Sequence, residues 1–326
     1  MITIGMDPEF FLRKENYNRR VLLAQELGLG GTKEVGLPIP GFDPTYQYHR
    51  DNVLLEITTP VASTADEWTK ICINTKRAAN KIAADHRARI AWSVSAAYVS
   101  DEMLRQYPSA MEVGCSPDQD AYNAGNTRGQ PDAATVLGNV RTAGGHVHIG
   151  TTKGFNCPNF IVALLMDWAV TPVYRMLYSP SHSPLQWHAS DTELLPYQTE
   201  RTKIRPWYRQ PGLYRDKNYG IEYRSLSNEW MTRQATQKAV FDAAKAVGWY
   251  CENRSAKDIR ALMNTIDFAQ VVHAHSVLPA ELSAMRLPIS RSRIGVYGAT
   301  RANNVISGTA VLWTNAVLRQ ARDQGE

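Results

Sequence analysis

The chain has 326 residues, 44% of them hydrophobic and 21% charged, with 36 Lys and Arg against 31 Asp and Glu for a formal net charge of +5. These values exclude a disordered chain and give ample length to bury a core without disulfides or metal staples. The charge is too mild for a dedicated nucleic-acid binder. Cys72, Cys115, Cys157 and Cys251 form no C-x-x-C pair, which speaks against a zinc finger or a thioredoxin-type site and fits a reducing cytoplasm.

Residues 2–12 alternate, with Ile4, Met6, Phe10 and Leu12 on one parity and Gly5, Asp7, Glu9 and Phe11 on the other, which predicts a strand. Pro8 removes a ladder donor and predicts an edge strand or a bulge. A Gly/Pro-rich loop follows over 28–44, and Asn52 to Thr58 alternates again. A helix starts near Ser63, where Ser63 with Asp66 or Thr64 with Glu67 makes a capping box. Its apolar stripe is Trp68, Ile71, Cys72, Ala78, Ala79, Ile82 and Ala83. Ile90 to Tyr98 reads as a strand, 116–138 as a long loop, His146 to Gly150 as a strand and Pro158 to about Tyr178 as a buried helix. The apolar run from Phe160 to Val170 holds Asp167 and is followed by Pro172, too short and interrupted to span a bilayer. Residues 179–218 read as irregular and Tyr219 to Leu226 as a strand, followed by helices over 235–250, 256–266, 267–285 and 302–322. The class is α+β, with no composition break that forces a second domain.

Four strand-like segments share one property. Asp7 and Glu9, His146 and His148, and Glu222 and Arg224 are each two apart, so each pair faces one side of its strand. Glu56 stands among apolar residues of the opposite parity. If these strands share a sheet, one face is core and the other a floor of carboxylates, imidazoles and a guanidinium. Carboxylates gathered there repel unless cations neutralise them, and hard magnesium or manganese prefers oxygen ligands. Taken singly, each pair is also what a solvated sheet face or a surface ion pair looks like. The segment Gly28-Leu29-Gly30-Gly31-Thr32-Lys33 lacks the glycine spacing of a phosphate loop, yet can expose N–H groups to an anion with Lys33 as a point charge. Residues 201–217 interleave Arg201, Lys203, Arg205, Arg209, Arg215 and Lys217 with Trp207, Tyr208 and Tyr214. That composition suits a nucleic acid, a nucleotide triphosphate or a solvated loop. His273 and His275 fall on a helix, about 200° apart, and read as surface or structural. Cys115 reads as a buried thiol rather than a nucleophile.

In order along the chain come Gly5-Met6-Asp7-Pro8-Glu9-Phe10, Gly30-Gly31-Thr32-Lys33, Asp51-Asn52 with Glu56, and Gly114-Cys115-Ser116-Pro117-Asp118. Gly144-Gly145-His146-Val147-His148 and Tyr219-Gly220-Ile221-Glu222-Tyr223-Arg224-Ser225-Leu226-Ser227-Asn228 follow. This set, spanning residues 5 to 230, resembles the bacteriophage-type carboxylate–amine ligases, or amidoligases, which are similar in fold to glutamine synthetase and glutamate–cysteine ligase. The resemblance implies a curved, mostly antiparallel sheet holding two or three magnesium ions on a polar concave face, with helices on the other. It implies metal ligation by Asp7, Glu9, Glu56, His146 and Glu222, although Asp7 departs from the family's Glu and reaches less far. His148 matches the nucleotide-side neighbour of His146, and Arg224 the arginine that contacts phosphate or the substrate carboxylate. Asp51 or Asn52 is a further position of interest.

The implied reaction is ATP-dependent amide formation through an acyl phosphate, with Mg2+ or Mn2+ offsetting charge. Lys33, Arg209, Arg215 and Arg224 are the candidates to hold the phosphates, and Glu56 or Asp118 to take the amine's proton. The substrates are a carboxylate and an amine, from amino acids, peptides or polyamines. No membrane and no obligate nucleic acid is required, and the compartment is the cytoplasm, that of a host if phage-encoded. The expected organisation is one catalytic domain over 1–326, with a sheet-bearing core over 1–230 and a helical part over 235–326. Two alternatives compete: a zinc hydrolase built on the H-x-H strand, and a non-enzymatic nucleic-acid binder using 201–217.

Overall fold

A computed structural model describes residues 1–14, 21–92, 94–111, 118–127, 139–173, 210–276 and 296–325. Its centre is an antiparallel sheet of nine strands, in the spatial order β10 (Asn126–Thr127), β9 (Gln119–Asp120), β13 (Leu213–Lys217), β14 (Gly220–Tyr223), β12 (Gly145–Thr151), β1 (Ile2–Phe10), β6 (Leu54–Thr58), β5 (Gln47–Asp51) and β4 (Leu37–Pro38). Two small sheets flank it. One joins β2 (Leu12–Lys14), β3 (Val21–Leu22) and β7 (Ala88–Ile90); the other pairs β8 (Ala96–Tyr98) with β11 (Val140–Thr142). The helices are α1 (Ala65–Asp85), α2 (Asp101–Gln106), α3 (Asn159–Ala169), α4 (Gln234–Asn253), α5 (Ala256–Met263), α6 (Phe268–Ser276) and α7 (Val296–Asp323). The α+β class follows, and among the described residues no helix is long and apolar enough to cross a membrane.

The apolar parity of the central strands forms the core. Ile2, Ile4 and Met6 of β1, Val147 and Ile149 of β12, and Ile221 and Tyr223 of β14 are buried against α3, α4 and Trp68 of α1. Helix α4 comes close because residue 248 is glycine: a Cβ there would stand 2.8 Å from Ile2 Cγ2 and 2.9 Å from Ile149 Cγ2. Phe10, Leu55 and Ile57 bury instead against Ala78, Ala79 and Ile82 of α1. The capping box of α1 is Thr64 with Glu67, closing reciprocal bonds at the helix start. Cys72 and Cys251 are buried and Cys157 half-buried, all three as free thiols, and burial pushes Cys72 up to about 12.

Several expectations need correction. Strand β1 is interior, between β12 and β6, not at an edge. Ile4 donates to Ala62 and Glu9 to Gly144, so donors alternate sides along β1. The missing donor of Pro8 therefore faces the β6 side, just before the β6 pairing begins at Glu9↔Glu56. The strand expected over Ile90 to Tyr98 is two short strands in different sheets, because β7 takes its partner from β2 and β8 from β11. The stretch read as irregular ends in a strand, β13, and the strand expected from Asn52 starts at Leu54, after a turn in which Asn52 has φ 51°. Tyr214 and Leu213 alone bury deeply on β13, too weak an alternation to announce it.

Candidate active site

Register places the polar parity side by side. One row across the sheet runs Gly5–His148–Glu222–Arg215, and the neighbouring row starts Asp7–His146. Where β1 changes partner the polar face continues as Glu9–Glu56–His49. Five residues expected at the site from sequence, Asp7, Glu9, Glu56, His146 and Glu222, thus converge on one face with His148.

Asp7, His148 and Glu222 form a first cluster whose ligand atoms lie within 4.8 Å of one another. Asp7 Oδ2 is 3.1 Å from His148 Nε2, and its Oδ1 is 3.3 Å from His146 Nδ1. Glu222 Oε2 pairs with Lys217 Nζ at 2.7 Å, and its Oε1 accepts from Arg224. Tyr219 OH meets His148 Nδ1. Burial works to raise the Asp7 pKa, but His148 and His146 together hold it well below the usual carboxylate range. Glu222 is likewise lowered against its burial, chiefly by Arg224. His148 is raised: burial opposes its charge and Asp7 overcomes that. His146 sits behind this cluster, with Nδ1 3.5 Å from Glu222 Oε1 and 3.2 Å from Arg224 Nη1. The resemblance implies metal ligation by His146 and a nucleotide-side place for His148; both stand against Asp7, His148 within the Asp7/Glu222 group and His146 with Nδ1 3.3 Å from Asp7 Oδ1.

Glu9, Asp51 and Glu56 form a second cluster of the same size. Glu9 is 2% exposed and Glu56 3%. Glu9 Oε2 accepts from Gly144 N at 2.5 Å, and Asn228 Nδ2 donates to the Glu9 carbonyl at 2.9 Å. Residue 144 is glycine where the His146 ring packs over it: a Cβ there would stand 2.4 Å from His146 Nε2. Burial, with the charges of Asp51 and Glu56, pushes the Glu9 carboxyl up to about 7. Burial and Asp7 push Glu56 well above the ordinary range. His49 Nε2 lies 3.3 Å from Glu56 Oε2, and burial lowers the His49 pKa. Lys33, on the loop beside this cluster, is raised against burial by Glu56, Asp51 and Asp7.

At the opposite flank Asp118 Oδ1 stands 2.9 Å from Arg224 Nε and 3.2 Å from Arg215 Nε. Arg209 and Cys115 lie outside the described residues. Among the candidates quoted from sequence, Asn52 occupies the β5–β6 turn, while Asp51 reaches the second cluster. His49, Lys217 and Tyr219 were not singled out as site residues. The signal for His49 was present, two residues before Asp51, but Gln47–Asp51 has no clean alternation to mark it as a strand. His275 is buried against Thr171, a structural place as expected.

The donor set suits divalent cations. Asp7 Oδ1, Glu56 Oε2, His146 Nε2 and His148 Nε2 are buried and meet only one another's residues, Glu9 or His49, in ion-pair contacts, with no well-aligned hydrogen bond among the described residues. Buried polar atoms are seldom left so, and two carboxylate-rich clusters match oxygen-loving Mg2+ or Mn2+ better than zinc. No family model matches the chain, and no curated protein matches it.

Proposed function

We propose that the protein is an ATP-dependent carboxylate–amine ligase that forms an amide bond through an acyl phosphate. The observation that carries this reading is the pair of clusters, Asp7/His148/Glu222 and Glu9/Asp51/Glu56, side by side on one sheet face with Arg215, Arg224 and Lys33 at its flanks. Magnesium in such clusters would supply charge neutralisation for phosphoryl transfer. Arg224, Arg215 and Lys33 orient the nucleotide phosphates and offset charge on the transferring group. Of the two roles expected for Glu56, cation ligand and proton acceptor, its place between Glu9 and Asp51 favours the first. Burial of the floor excludes water from an acyl phosphate until an amine arrives.

The test is incubation with ATP, Mg2+ and hydroxylamine over pools of amino acids and peptides. A hydroxamate formed in step with ADP is expected. Absence of ATP consumption with every pool contradicts the reading. Asp7 flanked by His146 and His148 makes a zinc hydrolase the second reading; a stoichiometric, chelator-resistant zinc would favour it. The oligonucleotide reading loses two of its cations, because Arg215 and Lys217 turn to Asp118 and Glu222.

A further inference from the structure

Asp118 lies outside both clusters, yet it is buried, 3% exposed, against Arg215 and Arg224. The chain delivers it there deliberately. It directly precedes β9, which pairs with β13 through Leu213↔Asp120 and Tyr214↔Gln119. That edge is locked by side chains: Gln119 Nε2 donates to Asp216 Oδ2 at 2.6 Å, and Asp216 N donates back to Gln119 Oε1 at 2.8 Å. The result sets one oxygen of Asp118 against the Nε of two arginines, Arg215 of β13 and Arg224 just after β14.

Arg224 also contacts Glu222, a cluster residue. Any cation on Glu222 competes for the oxygens that hold Arg224. The Asp118 contact does not depend on that choice, because Asp118 belongs to neither cluster. Resting on the ligase reading, we propose that Asp118 is a positioning residue: it holds Arg215 and Arg224 as one phosphate clamp, and keeps Arg224 in place whether Glu222 faces the arginine or a cation. Its charge also offsets the repulsion of two guanidiniums held side by side, one of them, Arg224, 2% exposed.

Calorimetric titration tests this with two probes, a non-hydrolysable ATP analogue with Mg2+ and inorganic tripolyphosphate, alongside Mn2+ titration without phosphate. In Asp118→Asn both phosphate probes should weaken about tenfold or more, while the Mn2+ sites keep their affinity. In an Arg215→Gln background the same substitution should cost clearly less, since part of what it acts through is gone. Equal binding by wild type and Asp118→Asn, or an undiminished loss in the Arg215→Gln background, overturns the clamp and leaves the ligase reading standing. Wild type that takes tripolyphosphate but not the nucleotide overturns the ligase reading, and the clamp is then decided by tripolyphosphate alone. Wild type that takes neither overturns both. If Asp118→Asn does not fold, Asp118→Glu, which keeps the charge and moves it by one methylene, is the substitute, with the same expected loss.

Discussion

The clusters Asp7/His148/Glu222 and Glu9/Asp51/Glu56 share one sheet face and one strand, β1, yet their charge is balanced in opposite ways. Around Asp7 and Glu222 stand His146, His148 and Arg224, and these neighbours outweigh burial so that both carboxyls stay ionised to low pH. Around Glu9, Asp51 and Glu56 stand His146, whose Nε2 is 3.9 Å from Glu9 Oε1, Lys33 on an exposed loop and His49, whose own burial lowers its pKa. There burial and mutual repulsion win, and Glu9 and Glu56 hold protons toward neutral pH. The first cluster is thus neutralised by the fold itself, whereas the second keeps its balance by holding protons, and on the proposed reading by a cation.

The largest effect should come from breaking the balanced cluster. Glu222→Gln removes a ligand and the partner of both Arg224 and Lys217, so ATP consumption should fall by about 10²–10³ or more with the fold retained. Turnover assays paired with thermal unfolding check this, and an active, folded variant would remove Glu222 from the cation site.

The second cluster should show itself in stability without metal. Glu9 has a folded-state pKa, about 7, above its ordinary carboxyl value, so its contribution is present below about pH 4.5 and lost as pH rises through 7. Glu56 and His148, both raised, act with the same sign. Asp7 and Glu222, both lowered, change stability only in the acid range. Chelated protein should therefore lose up to about 3 kcal/mol between roughly pH 5 and pH 8 from Glu9 alone. Urea denaturation measures it, Mn2+ should restore stability at the upper pH, and a slope of the opposite sign would break the comparison.

A smaller effect separates the clusters from each other. His49→Ala withdraws the imidazole beside Glu56 Oε2 and should lower cation affinity at the second cluster about 10- to 100-fold, while the first changes little. Equal losses at both, read by Mn2+ titration, would mean that the clusters are one site.

Much of the site was legible because strand geometry is simple: two residues apart means one face, and Asp7/Glu9, His146/His148 and Glu222/Arg224 needed only that rule. The helices α1 and α4 were legible for the same kind of reason, a long apolar stripe and, for α1, a cap. What was not legible depends on partners distant in sequence. Nothing local tells that β1 trades β12 for β6 at Glu9, which makes Pro8 tolerable in an interior strand. The pairing of Asp118 with Arg215 and Arg224 spans about a hundred residues and rests on β9, a two-residue strand that no periodicity can announce. Which histidine joins the carboxylates turned on side-chain direction, which spacing leaves open.

The most direct measurement is Mn2+ binding followed by electron paramagnetic resonance, with the ATP analogue present, as pH is lowered from about 8 to about 6. The account predicts two ions per chain at the upper pH, close enough to couple magnetically. On acidification the ion on Glu9, Asp51 and Glu56 should leave first, while the ion on Asp7, His148 and Glu222 remains. A protein that takes up no Mn2+, or that loses both ions together, would contradict it.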